Sequence, residues 1–294
     1  MSHHTILLAG YLCYFICQCY PASVNSNSKP HFSYNPSDQY APDNWYQIWP
    51  ACAGDQQSPI NIDTTRTFLN DTMAIHYECF NRTIPGLLTN NGHVPVFSFE
   101  NQKRPVLMGV PHHEHDRYLL EQIHLHFQKD SRTGSEHTID GEYYSGEFHL
   151  VHYNYKYGNF STALKYPDGL AVVAVLLKDM GRPSPMHVEE LLVETEETIT
   201  VHASLALTIN PSEFLPNRCH FYTYPGSLTT PGCDQSVTWI VVATPMSIED
   251  ADMEKLRQMK DVHENPIALD GNCRPRQPLG TRMVTANFAS KTGR

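Results

Sequence analysis

Two short apolar runs carry the residues best spaced to do chemistry. In Glu121-Gln122-Ile123-His124-Leu125-His126-Phe127, an extended backbone sends Gln122, His124 and His126 to one face and Ile123, Leu125 and Phe127 to the other. In Glu147-Phe148-His149-Leu150-Val151-His152 the same alternation sets Glu147 and His149 opposite Phe148 and Leu150. With the two runs as neighbouring strands, three imidazoles meet. Three neutral imidazoles around a zinc ion leave its fourth tetrahedral position to water, as catalytic sites do, whereas a structural zinc is closed by four protein ligands. A ligating imidazole is normally held by a hydrogen bond at its other nitrogen, and Gln122 and Glu147 are placed to supply it. Each histidine taken singly reads as a surface or satisfied core residue; the second run, with its Glu-x-His, tips the reading to metal.

Further blocks follow in order: Gln57-Ser58-Pro59-Ile60-Asn61-Ile62, Asn90-Asn91-Gly92-His93, Gly134-Ser135-Glu136-His137-Thr138, Tyr224-Pro225-Gly226-Ser227-Leu228-Thr229-Thr230-Pro231 and Arg274-Pro275-Arg276-Gln277-Pro278. With the two histidine runs they resemble the signature blocks of the alpha-class carbonic anhydrases, extracellular type, over roughly residues 32 to 288. The resemblance implies reversible hydration of carbon dioxide to bicarbonate and a proton, by attack of a zinc-bound hydroxide and export of the proton through a histidine. It implies that His124, His126 and His149 bind Zn(2+), which in this family brings the pKa of bound water to about 7. Thr229 is implied to accept a hydrogen bond from that hydroxide and donate one to Glu136. Its backbone N–H is implied to meet an oxygen of bicarbonate or of an inhibiting anion, and Thr230 to border the substrate space. Val151, Val172, Leu228, Val237 and Trp239 are implied as an apolar wall for carbon dioxide, although by residue type alone they read as ordinary core.

His93 is the implied proton shuttle, a role suited to the unperturbed pKa of histidine. Beside it Pro95 and Val96 depart from the family pattern, which has a polar residue lining the cavity. Extracellular relatives tie the segment before Gln-Ser-Pro to the turn after Thr-Thr-Pro, so a Cys52–Cys233 disulfide is implied. Sulfonamides and anions are the inhibitors expected. The alternative within the same family is a silent binding module that keeps the fold without catalysis; such proteins typically lack a zinc histidine, and all three stand here. A zinc protease or serine esterase lacks support, since neither His-Glu-x-x-His nor Gly-x-Ser-x-Gly occurs.

Holding two histidine strands side by side takes a sheet. Apolar, β-branched and aromatic runs at 94–99, 118–127, 147–153, 170–178, 198–205 and 236–244 are bounded by Gly, Pro, Asn or Asp and read as strands. Leu170 to Leu177 has no polar alternation, which predicts a central strand covered on both faces. One helix is expected from Ile248 to Lys260, with Ser247 as cap and Ile248, Ala251, Leu256 and Met259 on one face. The expected fold is α+β, mostly β: a single domain on a large twisted, predominantly antiparallel central sheet with short peripheral helices. Its bounds are 45–288, after an irregular arm at 24–44 and before a tail at 289–294. The cluster His112-His113-Glu114-His115 after Pro111 reads as a solvated turn.

The 294 residues carry a net charge of −10 with Lys and Arg scattered, which argues against nucleic acid or an anionic membrane as partner and favours small or soluble ones; carbon dioxide, bicarbonate and the proton are the partners the resemblance implies. The apolar stretch from Ile6 to Tyr20, followed by small and polar residues, reads as a signal peptide over 1–23, cut between about residues 17 and 24. That implies a secreted or extracellular protein, with sequons at Asn70, Asn81 and Asn159 open to glycosylation. A lipid anchor at the cell surface would need a hydrophobic tail, and the sequence ends at Lys291-Thr292-Gly293-Arg294 without one.

Overall fold

The structure, a computed structural model, describes residues 31–79, 81–99, 104–216 and 219–289. The proposed signal segment and the last residues of the tail therefore lie outside the described residues. Eight strands form the body: β1 (Ile84–Asn90), β2 (Pro95–Phe99), β3 (Tyr118–His126), β4 (Gly146–Asn154), β5 (Leu170–Lys178), β6 (Ser204–Ile209), β7 (Phe221–Gly226) and β8 (Val237–Val242). They lie in the order β6-β1-β2-β3-β4-β5-β8-β7, and short strands extend the sheet beyond β7 and beside β3 and β5. Within this body only β5 and β8 run parallel; the other neighbours are antiparallel.

The pleat divides the core in two. Ile123, Leu125, Phe148, Leu150, Val173 and Ile240 face one layer, which the helices α2 (Met186–Val193) and α3 (Asp250–Leu256) cover with Val188, Leu191, Leu192, Met253 and Leu256. Val151, Val172, Ala174, Tyr224, Trp239 and Val241 face the other. Both faces of β5 are covered, as its unbroken apolar run requires.

Some elements differ from the expectation, each for a local reason. No strand spans 198–205. Glu194–Thr198 forms a 3₁₀ turn instead, where the Thr195 hydroxyl bonds to the Leu192 carbonyl at 2.6 Å, and the strand starts only at Ser204. Hydroxyls that bond back to the chain compete with a ladder, and here they win over the β-branched composition. The helix is shorter than expected. The Ser247 hydroxyl donates to the Arg182 carbonyl rather than capping, and past Leu256 the chain tightens into i→i+3 bonds. Met253, not the exposed Ala251, completes its buried face. Strand β1 escapes a propensity reading because of Pro85 and Gly86. A Cβ at Gly86 would lie 2.4 Å from the Phe97 ring, so glycine is what lets β1 close on β2.

The described part of the arm packs on the body through Phe32, against Trp45, Trp49 and the Cys52–Cys233 disulfide. That bond closes a separation of 181 residues and anchors the turn bearing Thr229. At the chain-entropy limit, reducing it is expected to cost about 5 kcal/mol. A drop in the denaturation midpoint with reductant checks this, and an unchanged midpoint would show that the bond adds nothing.

Candidate metal centre

Antiparallel pairing of β3 with β4 sets His124 opposite His149 and His126 opposite Glu147. The three imidazoles converge: His124 Nε2 lies 3.1 Å from His126 Nε2 and 3.2 Å from His149 Nδ1. Zinc–nitrogen bonds of 2.0–2.1 Å in a tetrahedron require ligand nitrogens about 3.3 Å apart, so the donor set fits the ion. Burial drives all three pKa values down, His126 to about 3, which keeps the imidazoles neutral, the form a metal needs. His126 and His149 are buried and His124 only partly so, which leaves the ligand set open on the His124 side.

The outer nitrogens are held unevenly. His126 Nδ1 meets the Asn272 carbonyl at 2.7 Å, and His149 Nε2 meets Glu147 Oε1 at 2.7 Å. The same Glu147 oxygen lies 2.6 Å from His137 Nδ1, while Oε2 accepts from the backbone N–H groups of Glu136 and His137. Burial alone would raise the pKa of Glu147, but His137 and His149 more than offset it and hold the group well below the usual carboxylate range. Beyond it, His137 Nε2 meets the Tyr224 hydroxyl at 2.6 Å, which reaches Ser58. Gln122 is on the expected face, yet its Oε1 and His124 Nδ1 are both buried without a hydrogen-bond partner of standard geometry.

Glu136 lies on the ligands' far side, with Oε1 3.5 Å from His126 Nδ1 and accepting from the Arg274 N–H at 2.8 Å. Burial and the neighbouring Glu147 charge raise its pKa well above the usual range, and the Thr229 hydroxyl favours its ionised form. Thr229 is buried and Thr230 half-buried in the turn before Cys233. Val151, Val172, Val237 and Trp239 are buried in one cluster, with Leu228 half-buried against it. The Trp239 ring is 4.8 Å from that of His149, so the apolar cluster abuts the metal ligands. His93 stands apart, its ring stacked on Phe32 at 4.0 Å. Burial and the nearby His31 push its pKa down to about 4, against the pull of Asp261.

Sequence reasoning missed Asn272, whose carbonyl holds His126 and whose amide donates to the carbonyls of His93 and Leu125. It also missed the His137–Tyr224–Ser58 chain. Nothing local marks these residues, since each acts across more than 80 positions of sequence. In the cluster of His113 with Asp116 and Asp168, Lys156 already bridges the two carboxylates, 2.8 Å from Asp116.

A mostly β domain in which three histidines converge at zinc spacing beside an apolar cluster fits a zinc enzyme. The model of the eukaryotic-type carbonic anhydrase family matches residues 40–288. Carbonic anhydrase 7 of Mus musculus is 39% identical over 258 residues, covering 84% of this chain and 94% of its own. Carbonic anhydrase 3 of Sus scrofa is 35% identical over 257 residues, covering 86% and 97%. Carbonic anhydrase 7 of Homo sapiens is 37% identical over 268 residues, covering 88% and 98%. The chain belongs to the carbonic anhydrase family, whose cofactor is zinc.

These relatives correct one expectation. The chain was read as secreted or lipid-anchored, but carbonic anhydrases 3 and 7 are cytosolic enzymes. No helix among the described residues is long and apolar enough to cross a membrane. An apolar leader-like stretch and sequons are short patterns that arise without export. Asn159, one of the three exposed sequon asparagines, caps helix α1 (Phe160–Ala163) by accepting from the Thr162 N–H.

Proposed function

We propose that this chain is catalytically competent and reversibly hydrates carbon dioxide to bicarbonate and a proton. One observation carries the reading: three imidazoles, two of them buried, converge at zinc spacing, with an opening on the His124 side and an apolar cluster against them. When bound, zinc supplies a Lewis acid that makes water a nucleophile at neutral pH. The chain's own residues do the rest. Glu147 and Asn272 fix the orientation of His149 and His126, and Val151, Val172, Leu228, Val237 and Trp239 hold carbon dioxide against the open side without competing hydrogen bonds. Thr229 orients the attacking oxygen, with Glu136 as acceptor for its hydroxyl and its N–H free for a bicarbonate oxygen. Thr230 borders the same space. Stopped-flow hydration of carbon dioxide by the zinc-loaded protein, with and without a sulfonamide, tests the reading; full zinc content with no sulfonamide-sensitive rate would identify a silent module.

His93 takes the proton outward. Stacked on Phe32, and with burial and His31 weakening its hold on a proton, it passes the proton on rather than storing it. The variant His93→Ala is expected to lower kcat in weak buffer by roughly tenfold or more at unchanged zinc content, with imidazole restoring part of it. Parental kcat in weak buffer would remove His93 from the path.

A further inference from the structure

Outside the metal centre, a group of titratable side chains surrounds a cavity of about 150 Å³ between the N-terminal arm and the 261–271 loop. His93, His31 and His263 border it, together with the carboxylates of Asp38, Asp261 and Asp270 and the Tyr34 phenol. The His31 ring centroid is 6.5 Å from that of His93 and 5.5 Å from that of His263. Exposure rises along this line: His93 and His31 are half-buried, and His263 is exposed. No lysine or arginine is among the described residues that line the cavity.

We infer that His31 and His263 are two further proton-transfer residues, forming with His93 a three-imidazole relay that carries the proton from the catalytic cavity to solvent. The inference rests on His93 being the shuttle and extends it. A cavity this large has room for water, and a single water can bridge two imidazole nitrogens that do not meet directly. Each imidazole takes the proton at one ring nitrogen and releases one from the other, so nothing but a proton moves and each residue returns to its neutral state.

Electrostatics give the line a direction. Protonated His31 disfavours a proton on His93, so the pair passes a charge on rather than storing two. Burial and His31 oppose a proton on His93, Asp261 favours it, and no ammonium or guanidinium among the described lining residues adds to the opposition. Asp261 also fixes the outer end, since its Oδ1 accepts from the His263 and Asn265 backbone N–H groups and holds the turn that presents His263.

The test is carbon dioxide hydration by the zinc-loaded protein in weak buffer, comparing the parent with His263→Ala, the double variant His31→Ala with His263→Ala, and His93→Ala. Proton export limits kcat but not kcat/KM. We expect kcat to fall about threefold in the exposed single variant and about tenfold in the double, with kcat/KM unchanged and imidazole buffer restoring kcat. Parental kcat in the double variant, with His93→Ala still slow, would overturn the relay and leave the shuttle standing. Parental kcat in His93→Ala as well would bring down the shuttle and the relay with it. A parallel loss of kcat and kcat/KM that imidazole does not restore would mark His31 as structural and also overturn the relay.

Discussion

His149→Ala is expected to empty the site of zinc and abolish hydration. His149 supplies Nδ1 to the convergence point and ties it to Glu147, so its removal takes away one of three ligands and the tie to the supporting carboxylate at once. Loss of an outer partner alone typically costs about 10- to 100-fold in metal affinity, and loss of a ligand costs more. The deletion also leaves Glu147 with a buried charge answered only by His137 and two backbone N–H groups. Zinc content after dialysis should therefore drop well below one ion per chain, and carbon dioxide hydration should fall to the buffer rate at moderate zinc. His152→Ala is the control. His152 lies on the opposite face of β4, between Tyr77 and the Ala171 carbonyl, and His152→Ala should lose stability without losing zinc. Full zinc and parental hydration in His149→Ala would sink the metal assignment.

The ligand set was legible because strand periodicity is local. The side chains at 124 and 126 share a face whichever neighbour their strand has, as do those at 147 and 149 on theirs, and only the pairing of the two strands had to be supplied. Register gave the rest, placing Val96 beside His124, and Val151, Val172 and Trp239 in one row across the sheet. Sequence failed where a residue's conformation is decided by a distant partner. Gly86 looks like a strand breaker until Phe97 is against it. Ser247 looks like a helix cap until the Arg182 carbonyl takes its hydroxyl. Asn272 carries no mark of its tie to His126, 146 positions away. The secreted localisation inferred from residues 6–20 is corrected by the cytosolic relatives, since apolar length alone does not specify a compartment.

Thr229→Ala should separate metal binding from catalysis, with zinc retained and hydration falling on the order of 10²-fold, the scale of losing one positioned hydrogen-bond partner in a transition state. The argument starts at Glu136. Its Oε1 is engaged by the Arg274 N–H, while Oε2 is buried with no hydrogen-bond partner of standard geometry. A buried acceptor left open costs about 1–3 kcal/mol, so the Thr229 hydroxyl, the group that already stabilises the ionised form of this carboxylate, is drawn to donate to it. With its proton committed there, the Thr229 oxygen has only lone pairs to offer, and the attacking oxygen must donate to it. That fixes which lone pair of the nucleophile faces carbon dioxide. The direction depends on Glu136 being ionised. Burial and Glu147 oppose ionisation, and a dication beside the imidazoles favours it. Replacing Glu136 by glutamine puts an NH₂ donor where an acceptor is needed, so Glu136→Gln should lose about as much as Thr229→Ala, and the double variant little more. Thr229→Ser keeps the hydroxyl and should recover most of the rate. If Thr229→Ala hydrated carbon dioxide at the parental rate with its zinc in place, orientation by this pair would have no part in the chemistry.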